Sequence, residues 1–98
     1  MKVDLKKITI KKISTQESSV MDLEKCTFLK QGNTFDVDKK IQSYMVRMIE
    51  NVCISYPKST PIYSVELDYG NYQKVYLIDP THNRAIENIE RKLQGYTV

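Results

Sequence analysis

Residues 38–56 read DKKIQSYMVRMIENVCISY, a run that sets what the rest of the chain must pack against. Its apolar residues Ile41, Tyr44, Met45, Met48, Ile49, Val52 and Tyr56 recur three or four apart. That spacing lays them along one stripe of an α-helix and fits no strand. Asp36 or Asp38 is placed to cap the first turn, its carboxylate accepting from backbone N–H groups that lack a partner within the helix. Pro57 ends the run, because it disfavours helical backbone at Tyr56 and has no N–H to contribute. At ~1.5 Å per residue the helix is roughly 28 Å long, enough to cross a small domain. A stripe this bulky needs a sheet face to cover.

The flanking sequence supplies strands. Downstream, Tyr63, Val65, Leu67 and Tyr69 alternate with Ser64, Glu66 and Asp68. Gly70-Asn71 then suits a two-residue turn with glycine at the position that needs positive φ. This hairpin sets Tyr69 opposite Tyr72, Leu67 opposite Lys74, Val65 opposite Tyr76 and Tyr63 opposite Ile78. The returning strand is apolar on both parities through Val75, Tyr76, Leu77 and Ile78. Such a strand is expected at the centre of a sheet, or against a partner surface.

Upstream, residues 25–37 predict another hairpin, with Cys26 and Phe28 on one arm, Phe35 and Val37 on the other, and Gly32-Asn33 as the turn. Val3, Leu5, Ile8, Ile10 and Ile13 predict a strand over residues 2–13. The apolar parity switches between Leu5 and Ile8, so a bulge near Lys6–Lys7 is expected. Residues 14–24 read as a loop or a single helical turn, with Ser14 and Glu17 fitting a capping box. Pro57 to Pro61 reads as a tight polar connection. Asp79-Pro80 opens a last helix carrying Ile86, Ile89 and Leu93, which Gly95 terminates. The expectation is one α+β domain over residues 1–98: a two-layer sandwich of an antiparallel sheet of about four to five strands, in the order β-β-β-α-β-β-α, with two helices on one face.

Composition narrows the function more than it identifies it. Lys2, Lys6, Lys7, Lys11 and Lys12 stand against Asp4 in the first fourteen residues, so the formal charge of +3 is concentrated there. Lysines on a strand are read first as protection of a sheet edge and second as a footprint for phosphates. His82 is the only histidine, Cys26 and Cys53 are the only cysteines, and three glycines cannot furnish a phosphate-binding loop. Glu66 and Asp68 pair on one strand face, where solvated charge is the ordinary account. No catalytic, cofactor-binding or metal-binding residue is assigned, and an enzyme is not expected. No apolar run approaches the ~20 residues of a membrane span, and the lysines at the start lack the apolar core of a secretory signal, so a cytoplasmic protein is expected.

Two binding readings remain. Tyr69, Tyr72 and Tyr76 gather on one hairpin, and tyrosine joins a large apolar ring to a polar tip, which suits protein interfaces. A regulatory or inhibitory protein that occupies another protein's surface is the leading expectation, with a second copy of the chain among the candidate partners. The alternative is a nucleic-acid-binding protein that stacks bases on the tyrosine hairpin and tracks phosphates with Lys6, Lys7, Lys11 and Lys12. Abundant Lys, Ile, Asn and Tyr, with Ala85 the only alanine, suggest an AT-rich genome and a phage or mobile-element source.

Overall fold

A computed structural model describes residues 4–53, 59–79 and 91. Its elements are β1 (Lys7–Lys12), β2 (Ser18–Asp22), β3 (Thr27–Lys30), β4 (Asn33–Asp36), α1 (Lys39–Cys53), β5 (Tyr63–Asp68) and β6 (Gln73–Ile78). The six strands form one sheet in the order β4-β3-β2-β1-β5-β6, with every neighbouring pair antiparallel. The first four strands step outward as a meander. Then α1 returns the chain to the far side of β1, where β5 and β6 complete the sheet.

The α+β class stands, with six strands where about four to five were expected. The extra strand is β2, in a segment expected to be a loop or helical turn. Ser19 and Met21 face the core and Val20 the other side, so the alternation is real, but serine conceals it from a hydropathy reading. Ser14 and Glu17 form no capping box; they belong to a tight β1–β2 turn in which Lys12 N–H donates to Glu17 O at 2.8 Å and Gln16 N–H to Lys12 O at 2.9 Å. Apart from Arg91, which is helical and exposed, the expected last helix lies outside the described residues, as does the end of α1 at Pro57.

Asp38 caps α1, its Oδ1 accepting from Lys40 N–H at 2.9 Å and Ile41 N–H at 3.3 Å. The buried stripe is Gln42, Met45, Ile49, Val52 and Cys53, flanked by half-buried Ile41, Val46 and Met48. Tyr44, expected on that stripe, is exposed, and buried Gln42 takes a place there instead. Gln42 Nε2 donates to Leu23 O at 3.1 Å, tying the helix to the β2–β3 loop. Beneath the stripe lie Ile8, Ile10, Met21, Phe28, Tyr63, Val65, Leu67 and Ile78.

The bulge expected at Lys6–Lys7 is present. Lys6 N–H donates to Asp68 O at 2.7 Å although Lys7 is the residue paired with Asp68, so two residues oppose one. Leu5 is thereby brought against the core, half-buried. Two other expectations change. β1 is central, held by β2 on one side and β5 on the other, so its lysines do not protect an edge. β6 is itself an edge and not a central strand.

The β5–β6 register is the one read from sequence, including Leu67 with Lys74, Val65 with Tyr76 and Tyr63 with Ile78. Gly70 sits at φ +89°, as the turn requires. The β3–β4 turn is shifted by one residue: Asn33 pairs with Lys30, and the two turn residues are Gln31 at φ +51° and Gly32 at φ +78°. Two successive positive φ values give the hairpin twist that matches the strands.

Candidate functional site

The sheet has two unlike faces. One carries the core and α1. Residues directly opposite one another in adjacent strands point to the same side, so the register assigns the other face to Lys7, Thr9 and Lys11, to Ser18, Val20 and Asp22, and to Thr27, Leu29, Thr34 and Asp36. Ser64, Glu66, Asp68, Gln73, Val75 and Leu77 complete it. On it Leu29, Val75 and Leu77 are exposed, and a shallow depression of about 360 Å³ lies among Glu17, Ser18, Val20, Leu29, Gln31 and Gly32.

The sequence-predicted tyrosines do come together, on the helix side of the β5–β6 hairpin. Tyr69 and Tyr72 face each other across the Gly70 turn with ring centroids 4.9 Å apart and planes at 17°, an offset-stacked pair. Asp68 Oδ1 accepts from Gly70 N–H at 2.7 Å, and Tyr69 N–H donates to Tyr72 O at 3.0 Å, which fixes the turn beneath the rings. Lys74 Nζ stands 5.9 Å from the centre of the Tyr72 ring, within cation–π range. Tyr76 continues the row and is half-buried against the core. Burial raises the Tyr69 hydroxyl above its ordinary pKa, and the Glu50 carboxylate on α1 adds to the shift. The Tyr69 hydroxyl therefore stays protonated at physiological pH, and the stack is seated beside the helix.

The four candidate lysines are not brought into one patch. Lys7 and Lys11 are exposed on the open face. Lys12 is half-buried on the helix side in register with Tyr63, and the Lys6 stem runs past Gly70. Lys7 has Asp22 and Asp68 as its cross-strand neighbours, and Asp36 and Glu66 share the same face. Two carboxylates thus flank Lys7 directly, whereas Lys11 has Ser18 and Ser64 beside it and Asp36 stands three strands away.

The remaining chemistry-bearing residues are dispersed. Cys26 and Cys53 are free thiols; Cys53 is buried, and burial, assisted by Glu50, lifts its pKa from 9.0 to about 11. Asp79, read as a helix cap, is fully buried and its Oδ2 accepts from Ser59 N–H at 3.1 Å, pinning the connection that follows α1. His82 lies outside the described residues. Among the described residues no three His, Cys, Asp or Glu side chains are grouped so as to hold a metal, and no helix is long and apolar enough to cross a membrane.

The residues that sequence reasoning left unassigned are on β6. Tyr69 N–H donating to Tyr72 O fixes the alternation of the ladder, so Lys74 and Tyr76 turn their backbone groups toward β5 while Gln73, Val75 and Leu77 turn theirs outward. Val75 is 60% exposed and Leu77 46%. Their signal was present as apolar residues on both parities of one strand. Comparison of the chain with family models, with curated proteins and with solved structures finds no match.

Proposed function

We propose that this chain is a small non-enzymatic protein-binding module that regulates or inhibits a partner protein by occupying its surface through the β6 hairpin. The observation that carries this reading is the β6 edge itself. Among the described residues it has no strand beyond it, so the backbone groups of Gln73, Val75 and Leu77 face outward, beside exposed apolar side chains at Val75 and Leu77 and the stacked Tyr69–Tyr72 pair at its start. An edge of this kind accepts an added strand, with main-chain hydrogen bonds giving affinity and the flanking side chains giving selectivity. The tyrosines supply rigid contact area at low entropic cost.

Nucleic acid is less well supported as the ligand. A phosphate-tracking surface needs its cations together and unopposed, whereas Lys7 and Lys11 share their face with Asp22, Asp36, Glu66 and Asp68. The reading is tested by affinity capture from lysate of the source cell, with and without nuclease and at low and high salt. A defined protein retained throughout, and lost with Tyr72→Ala or with Tyr69, Tyr72 and Tyr76 all changed to Ala in a folded chain, is the expected result. Retention of nucleic acid that depends on Lys6, Lys7, Lys11 and Lys12 and fades with salt would replace it.

A further inference from the structure

The two edges of the sheet are built differently. β4 is four residues long, with Asn33, Thr34 and Asp36 exposed and only Phe35 half-buried. Short, polar and ending in a carboxylate, it is poorly suited to taking another strand. β6 is six residues long, carries no carboxylate and a single cation, Lys74, and exposes Val75 and Leu77. Among the described residues only one edge is suited to pairing, and a surface that occurs once per chain closes on its own copy as a dimer, whereas two such edges would propagate.

Resting on the protein-binding reading above, we propose that β6 pairs antiparallel with β6 of a second copy, with Tyr76 on the two-fold axis, to give a continuous twelve-stranded sheet. The sequence of β6 selects that register. With Tyr76 against its own copy, Val75 faces Leu77 of the other chain on the open side, and Leu77 faces Val75. Val75 and Leu77 are residues whose backbone groups point outward, so these two pairs form the inter-chain hydrogen bonds. Lys74 then lies opposite Ile78 of the other chain, and the two lysines are four positions, about 13 Å, apart. Centring on Val75 would make the two lysines diagonal neighbours, their residues about 7 Å apart, and centring on Lys74 would oppose them directly. Centring on Leu77 would set Val75 against Asp79. Apolar matching and charge separation thus choose the same axis. Both α1 helices lie on one side of the joined sheet, because directly paired residues point to the same face.

Sedimentation equilibrium over a range of concentrations tests this. The expected mass rises from the 11.5 kDa of one chain to twice that value. Val75→Pro removes an outward N–H without touching the β5 ladder, and Leu77→Lys places a charge against Val75 of the copy. Each is expected to hold the chain at the monomer mass with an unchanged far-ultraviolet spectrum. In a Cys26→Ser background, Tyr76→Cys is expected to cross-link on mild oxidation, since a non-hydrogen-bonded pair sets Cα atoms about 4.5 Å apart, and Lys74→Cys is not. A monomer at the highest soluble concentration, a dimer that survives both edge variants, or cross-linking at position 74 in place of 76 would overturn the proposal. A monomeric chain that still captures a lysate protein in a Tyr72-dependent way would overturn self-pairing alone. A β6-paired dimer that captures nothing would uphold self-pairing and remove the broader reading.

Discussion

Proline placed at Thr9 and at Val75 separates a central strand from an edge. Thr9 is paired with Val20 on one side and Glu66 on the other, so its N–H is committed to the ladder. Proline there deletes that bond, forces the ring against a neighbouring strand and leaves a buried carbonyl without its donor. The expected loss is about 3 kcal/mol or more. Val75 has an equally extended backbone, but its N–H points away from β5. Proline at that position costs only the mismatch in φ and the lost packing of a 60% exposed side chain, on the order of 1 kcal/mol. Urea unfolding followed by far-ultraviolet circular dichroism reads the contrast. With a slope of about 1.5 kcal/mol/M, Thr9→Pro lowers the midpoint by roughly 2 M and Val75→Pro by less than about 0.7 M. The measurement belongs at low protein concentration, where self-association does not contribute to stability. Equal losses at the two sites, or a larger loss at Val75, would refute the strand order and with it the assignment of the open edge.

Two further outcomes follow from local geometry. Asp38→Ala removes the acceptor for Lys40 and Ile41 N–H and is expected to cost about 1 kcal/mol in the same unfolding assay, whereas Asp38→Ser recovers most of it. Cys53, with its pKa lifted from 9.0 to about 11, stays a neutral buried thiol at pH 7 and should alkylate far more slowly than Cys26. In the unfolded chain the same thiol ionises near 9.0, so the unfolded state releases its proton first. Stability is therefore unaffected by this group below that value and falls as pH rises toward about 11, and Cys53→Val should flatten the decline.

What could be read from the chain, and what could not, divides along the range of the interaction. The β5–β6 hairpin was legible residue by residue because alternation and Gly70-Asn71 fix it locally. The α1 stripe was legible except at Tyr44 and Gln42, where an aromatic residue turned outward and an amide was drawn inward by the Leu23 carbonyl. β2 was hidden because Ser19 fills an inward position that the period expects to be apolar. The β3–β4 turn slipped by one residue because Gln31 adopts positive φ, a conformation its residue type does not announce. Strand order is a long-range property. Lysines that alternate outward look the same on an edge and on a central strand with one open face, so β1 was placed wrongly. The tyrosine cluster was visible because its members are neighbours in one hairpin. The lysine set was not a site in space, because a bulge and the strand pleat divide it.

Amide hydrogen exchange on β6, measured on the dilute chain and again with a captured partner protein bound, shows whether this edge is the binding surface. Gln73, Val75 and Leu77, whose N–H groups face outward, are expected to exchange rapidly in the free chain and to become protected in the complex, while Lys74 and Tyr76 are already protected by β5. Unchanged exchange at those three amides, with protection appearing instead around Lys7 and Lys11 on the open face, would contradict it.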